Sequence, residues 1–347
     1  MHIFRKNLSG ATKPNVWLIA LIIAGSGYND LLGQDLQRSA YSFVNVPAYA
    51  RLAGLGGVNV SLHDRDVSSF FSSPALAGDT LLGIANASHQ FFVGDVGNSS
   101  FAYLANLPSI GPLAIGVQHF AYGSLEGYDA SGNSLGTMNL SETCIVVSRA
   151  HQIGVFRLGA SLKGVFSSLA GFRSSALLFD IGGIFIHPKK DFTVGLVIKN
   201  TGFVLSDYSA TSESLVPFDV QLGSTFKPEH MPLRFSLTIY RLIQSRGVAY
   251  DDNNEPVDAR MLEKVLRHFN FATEVLLHRN VNLLIGYNYG VHQELKLPNA
   301  GGAAGITYGF SAKVKSFELV VSRSTYVARS AAYAFSLSAN IGKMLRR

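Results

Sequence analysis

The stretch Phe156-Arg157-Leu158-Gly159-Ala160-Ser161-Leu162-Lys163-Gly164-Val165-Phe166-Ser167 decides the fold. Taken in steps of two, Phe156, Leu158, Ala160, Leu162, Gly164 and Phe166 form an apolar row. Between them Arg157, Gly159, Ser161, Lys163, Val165 and Ser167 form a row of mostly small or charged side chains. Successive side chains of a strand point to opposite faces, so this is a strand with one greasy and one polar side. Leu177, Phe179, Ile181, Gly183 and Phe185 repeat the pattern, with Asp180 and Gly182 opposite. After the turn His187-Pro188-Lys189-Lys190-Asp191, so do Phe192, Val194, Leu196 and Ile198 against Thr193, Gly195, Val197 and Lys199. Strands of about 9–13 residues cross a bilayer when tilted, whereas those of a soluble β-sandwich usually run to about 5–6. The fold class is therefore all-β, an outer-membrane β-barrel whose greasy side meets lipid.

Working outward, alternating runs recur near 81–93, 99–107, 112–123, 140–150, 154–168, 174–187, 191–200, 216–227, 233–243, 268–278, 281–291, 301–314, 316–326 and 331–345. About fourteen antiparallel strands result, an even number that returns both ends of the barrel to one side. Phe218, Val220 and Leu222 oppose Asp219, Gln221 and Gly223. Tyr333, Phe335, Leu337, Ala339 and Ile341 oppose Ala334, Ser336, Ser338, Asn340 and Gly342. Turns after even-numbered strands are short, while long connections (124–139, 201–215, 244–267) follow odd-numbered ones. Barrels of this class have short periplasmic turns and longer outside loops, which places those three at the cell surface.

Composition agrees. Apolar residues make up 47% of the 347, charged residues 15%, and there are 34 glycines; mean hydropathy is +0.21. Apolar residues spread over alternate positions suit a barrel, and small side chains suit a crowded lumen. The net charge of +6 contains no polybasic run, and no basic–aromatic interleaving suggests a nucleic-acid surface. The chain reads as one barrel with three parts: a cleaved signal peptide at 1–33, an N-terminal plug or hatch at 34–80, and the barrel at 81–347. In the first part Arg5, Lys6 and Lys13 precede the apolar core Val16–Ala24, with cleavage expected between Ala24 and Gln34, at Gly33-Gln34 by preference. The single cysteine, Cys144, excludes a lipidated N-terminal cysteine, an intramolecular disulfide and a multi-cysteine metal site.

Residues 35–80 do not alternate. They contain Phe43-Val44-Asn45-Val46-Pro47-Ala48-Tyr49-Ala50-Arg51, then Gly54, Gly56 and Gly57, then Asp64-Arg65-Asp66-Val67 and Pro74-Ala75-Leu76. The glycines match neither G-x-x-x-x-G-K nor G-x-G-x-x-G, so they mark tight turns of a packed plug. The pattern F-x-N-V-P-A-x-A-R-x-x-G-L-G-G, D-R-D-V, P-A-L resembles the opening of the PorV/PorQ family of type IX secretion system outer-membrane proteins. Chain length and short strand spacing fit the PorQ branch. The resemblance implies a FadL-like barrel of fourteen strands with an N-terminal hatch. It also implies a non-enzymatic role in holding the surface protein PorZ, with PorU and PorV, in a complex that attaches secreted cargo. Asn45, Pro47, Arg51, Gly54, Gly56, Gly57, Pro74 and Ala75 carry the motif. Two features depart from related barrels. Ser73 stands where many FadL-like hatches have the asparagine of N-P-A, and the chain ends Leu345-Arg346-Arg347 rather than in an aromatic residue. The alternative function is a FadL-like transporter of hydrophobic small molecules, with the plug as gate.

The longest outer connection predicts a helix with Pro256 at its first turn and Leu262, Val265, Leu266 and Phe269 on one face. Such a helix either lids the barrel or docks a partner, and Tyr250, Asp251, Asp252, Glu255, Met261 and Leu262 are the contact candidates. Asp251-Asp252-Asn253-Asn254-Glu255 resembles the start of a calcium loop, but Pro256 and Leu262 stand where such a loop needs glycine and glutamate. The ten histidines show no metal-ligand spacing, and Cys144 lies among strand residues. No cofactor, metal or enzymatic activity is expected. Asp180, Glu274, Lys163, Lys199 and Arg234 fall on inward faces, where they are expected to pair with one another and with the plug. On alternation alone, a lysine in place of Phe179 should impair assembly more than one in place of Asp180.

Overall fold

All fourteen alternating runs form strands of one closed antiparallel barrel in the computed structural model, which describes residues 40–128, 131–243, 248–250, 256–258, 261–295, 303–327 and 330–344. The wall comprises β1 (Ile84–Phe91), β2 (Gly97–Leu107), β3 (Gly111–Tyr128), β4 (Ser134–Ile153), β5 (Phe156–Leu169), β6 (Phe172–Ile186), β7 (Phe192–Ser206), β8 (Asp219–Phe226) and β9 (Leu233–Ile239). It continues through β12 (Phe269–His278), β13 (Val281–Asn288), β14 (Ile306–Val314), β15 (Phe317–Val327) and β16 (Ser330–Asn340). Each strand pairs with the next, and β16 closes on β1 from Ile84↔Asn340 to Phe91↔Tyr333. A separate hairpin, β10 (Val248–Tyr250) with β11 (Pro256–Asp258), lies in the longest outer connection.

The exposure pattern is that of a soluble protein turned inside out. Along β5, Phe156, Leu158, Leu162 and Phe166 are exposed, whereas Arg157, Ser161, Lys163 and Ser167 are buried. Outward aromatic residues mark both bilayer boundaries. Phe156–Phe185 and Phe192–Phe226 contact at the short-turn end, and Phe91–Phe335 at the long-loop end. Among the described residues no helix is long and apolar enough to cross a membrane. This is an outer-membrane barrel.

The structure corrects five boundaries. The connection expected at 124–139 is largely a hairpin, because β3 and β4 stay paired to Tyr128↔Ser134; β7 likewise runs on to Ser206. In β3 and β4 apolar alternation marks only the lipid-crossing part, while the ladder continues beyond it; in β7 the bulge at Lys199 and Asn200 shifts the alternation by one residue, and Phe203 and Leu205 carry the outward row on. In the longest connection Pro256 opens β11 rather than a helix. The helix α2 spans Met261–Leu266, and Phe269 already belongs to β12. β13 stops at Asn288, whose Oδ1 accepts from Val291 N (3.0 Å) to start helix α3 (Tyr289–Leu295). β16 stops at Asn340, whose Oδ1 accepts from Lys343 N (2.9 Å) in helix α4 (Ile341–Met344). An asparagine side chain that satisfies a first-turn N–H is enough to end each strand there.

Candidate functional site

Ala40 begins the described chain at the long-loop mouth, where its N–H donates to Leu215 O (2.9 Å). From there the backbone runs through the lumen to Gly83, beside the short turns, where Gly83 O accepts from Gly342 N. It forms short 3-10 turns (Ser42–Asn45, Val67–Phe71, Pro74–Leu76, Asp79–Leu81) and one helical turn, α1 (Ala50–Gly54). Irregular backbone at membrane depth needs partners other than water, and the polar inward face of the wall supplies them. Asn98 Nδ2 donates to Pro47 O, Ser100 Oγ to Ala48 O, Ser322 Oγ to Ala50 O and Thr307 Oγ1 to Gly54 O. Asn270 Nδ2 reaches Leu55 O and Val58 O, and Asn288 Nδ2 reaches Gly56 O. In the other direction, Ala50 N donates to Ser336 Oγ and Gly56 N to Thr307 Oγ1. In the sequence these inward serines, threonines and amides show no role beyond polarity.

Wall glycines answer the same segment. A methyl group on Gly286 would overlap Gly56 N, one on Gly195 would overlap Val60 O, and one on Gly159 would lie 2.5 Å from the Pro74 carbonyl carbon. Gly116 meets Phe70 and Phe71, and Gly182 meets Ser73 and Pro74. The segment therefore lies directly on backbone around much of the ring. Within it Gly56 and Gly57 adopt φ of 84° and 85°, a conformation that disfavours any Cβ, which explains their place in the motif.

Two charge clusters hold the segment. Arg51, 3% exposed on α1, pairs with Asp64 of the same segment, with Glu274 of β12 (3.2 Å) and with Glu318 of β15 (2.5 Å). Arg234 of β9 pairs with Glu274 (2.7 Å) and Asp64 (3.2 Å). In the second cluster Lys163 Nζ lies 2.5 Å from Asp180 and donates to Asn200 Oδ1, while Asn200 Nδ2 donates to Asn45 Oδ1 (3.0 Å). Asn200 (φ 56°) occupies a bulge of β7, where Lys199 and Asn200 together stand opposite Asp180, and Lys199 Nζ donates to Phe71 O. The inward charges thus pair with one another and with the segment. Glu318 and the Asn45–Asn200 bond escape a sequence reading, since nothing in a strand's own sequence tells which inward charge meets which.

The segment's apolar side chains use one half of the wall. Phe43, Val44, Phe70 and Phe71 pack on inward Ala102 and Leu104 (β2), Ala114 and Phe120 (β3), Cys144 and Val146 (β4), Val165 (β5), and Ala176 and Leu178 (β6). Cys144 is buried within this stripe and has no disulfide partner. At the outer mouth, the half-buried Asp207 accepts from Ser214 Oγ, Ser214 N and Tyr208 N, and these bonds hold its carboxyl down at about 2.

All eight motif residues are brought together inside the lumen. The outer-loop candidates lie apart from them: Met261 and Leu262 are 83% and 71% exposed on α2. Tyr250 pairs with Pro256 in the β10–β11 hairpin, and Asp251, Asp252 and Glu255 lie outside the described residues, as does the whole of 1–33.

Solved outer-membrane transporters share this architecture. The Ralstonia pickettii toluene transporter TbuX aligns over 86% of this chain and 99% of its own, with a TM-score of 0.50 and 12% identity. The deltaS2 variant of the monoaromatic hydrocarbon channel TodX aligns over 85% and 97%, with a TM-score of 0.51 and 12% identity. The likeness is one of fold. No family model matches the chain, and no curated protein matches it in sequence.

Proposed function

We propose that this protein is an outer-membrane channel for small hydrophobic molecules, with residues 34–80 as its gate, 81–347 as its wall and 1–33 removed on export. One observation carries the reading. The inward faces of β2–β6 share an apolar patch (Leu104, Ala114, Val146, Val165 and Leu178 among them), and the side chains that now cover it belong to the internal segment. A barrel that needed only a polar filling would have no use for such a patch, whereas a hydrophobic solute needs apolar surface to leave the water. The fold shared with toluene transporters supports the same reading. On this reading the protein is a conduit rather than an enzyme. Purified protein in liposomes should accelerate toluene equilibration, and Phe70→Ala with Phe71→Ala should accelerate it further. Rates equal to those of empty vesicles for both proteins would refute it.

A second reading has its own observation. The exposed apolar residues Met261 and Leu262 on α2, beside the β10–β11 hairpin, suit burial against a protein. Here the barrel is a non-enzymatic type IX secretion component that holds PorZ, with PorU and PorV, at the surface, as the motif of the internal segment implies. Affinity purification from mildly solubilised outer membranes tests it: a retained surface protein lost on replacing 251–260 favours this reading over transport.

A further inference from the structure

The short-turn end of the lumen opens into a cavity of about 800 Å³, in the size range of ligand sites. It adjoins a second of about 440 Å³ that shares Asp64, Arg65, Lys313, Lys315, Glu318 and Lys343 with it. The charge around this space is lopsided. Its two carboxylates are already engaged, Asp64 by Arg51 and Arg234, and Glu318 by Arg51. Among the described residues Arg65, Arg279, Lys313, Lys315 and Lys343 form no ion pair. These five cations come from separate elements. Arg65 is on the internal segment, Arg279 on the β12–β13 turn, Lys313 on β14, Lys315 on the β14–β15 turn and Lys343 on α4. Lys313 and Lys315 flank the end of β14, and the closed barrel brings Arg65, Arg279 and Lys343 to the same rim.

We propose that this vestibule is a polyanion site on the periplasmic side and that its ligand is an acidic segment of a periplasmic polypeptide. Bilayer headgroups do not fit as the ligand. Arg65 sits on the segment inside the ring of strands, and Lys313 is on the same inward row of β14 as buried Thr307 and Ser311, away from lipid. A ligand with one carboxylate would satisfy one cation of the arc and leave four. Several carboxylates along a flexible chain satisfy the set, and multidentate charge complementarity gives fast encounter and selectivity. This inference is independent of the transport reading, because the site lies on the opposite side of the gate from the outer mouth.

The test uses the full barrel in detergent and a fluorescein-labelled hexaglutamate peptide, with hexaglutamine and inorganic phosphate as comparators. Hexaglutamate should bind and hexaglutamine should not, and affinity should fall steeply as salt rises from about 50 to about 300 mM. Lys313→Gln with Lys315→Gln should weaken binding about tenfold, as expected for two partly screened ion pairs. Arg65→Gln should do so about threefold. Lys189→Gln with Lys190→Gln, on another short turn of the same end, should leave affinity unchanged, with heat-modifiable migration confirming that every variant is folded. An equal loss in the Lys189/Lys190 variant would overturn the site in favour of general surface charge. Inorganic phosphate competing at the same concentration as hexaglutamate would reduce it to a simple anion site. Absence of hexaglutamate binding at about 0.1 mM and low salt would overturn it outright.

Discussion

Substituting lysine at two adjacent positions of β6 separates what alternation implies from what the folded lumen imposes. Alternation gives Phe179→Lys as the damaging change, since a lysine facing lipid at mid-bilayer costs about 2–4 kcal/mol. Phe179 is indeed outward and 40% exposed. Asp180 is inward, but its surroundings are not water. It is 0% exposed, its Oδ2 lies 2.5 Å from Lys163 Nζ, and its Oδ1 accepts from Asn200 N (2.8 Å). Breaking a buried pair from one side costs about 3–5 kcal/mol. Asp180→Lys also sets a third ammonium group beside Lys163 and Lys199, and each like-charge contact near 4 Å adds up to about 4 kcal/mol at an effective dielectric of about 20. Losing a proton relieves part of that, whereas the lysine of Phe179→Lys relieves its own cost by reaching toward the interface. The expected order is therefore reversed: Asp180→Lys should leave less folded, heat-modifiable barrel than Phe179→Lys, with a lower urea midpoint. Adding Lys163→Asp to Asp180→Lys should recover part of the loss by restoring an opposite-charge pair. More folded protein for Asp180→Lys than for Phe179→Lys, without rescue by the second change, would refute the buried-pair reasoning.

Gly286→Ala should leave the wall intact but push α1 off β13, raising single-channel conductance in planar bilayers, because the new methyl overlaps Gly56 N. Gly164→Ala, whose nearest neighbour is the Phe166 ring at 3.6 Å, should be silent. Arg51→Ala leaves Glu274 and Glu318 without their shared cation and should destabilise the closed segment by about 3–5 kcal/mol, read as faster protease cleavage within 50–66. The Asp207 carboxyl titrates at about 2, below the usual value of about 3.9. Its contribution is present above about pH 4 and lost as pH falls through about 2, so amide exchange over 207–215 should stay slow at about pH 4 and quicken in Asp207→Asn. Replacing 251–260 with a short Gly/Ser turn should leave barrel insertion normal, because the β10–β11 hairpin shares no ladder with the wall.

The sequence by itself determined the wall. A period of two over fourteen long runs, with apolar residues on the side that the folded barrel exposes, admits only a lipid-facing barrel, because lipid selects side chains one position at a time. It also located the segment that does not alternate, and its glycines as tight turns. The partners of that segment were decided by the tertiary structure alone. Thr307, Ser322, Asn270 and Asn288 look like ordinary lumen polarity until the barrel closes and sets them against the carbonyls of Gly54, Ala50, Leu55 and Gly56. Asp180 reads as an inward charge with a partner, but its complete burial is not legible, and alternation alone lets it tolerate a lysine. Alternation says which face a residue occupies, but whether that face meets water or another chain segment depends on what fills the ring. The outer connections escape prediction where the constraint of lipid ends. There β3 and β4 continue as a hairpin, and Pro256 joins a two-stranded ribbon instead of a helix, through hydrogen bonds that leave no hydrophobic period behind.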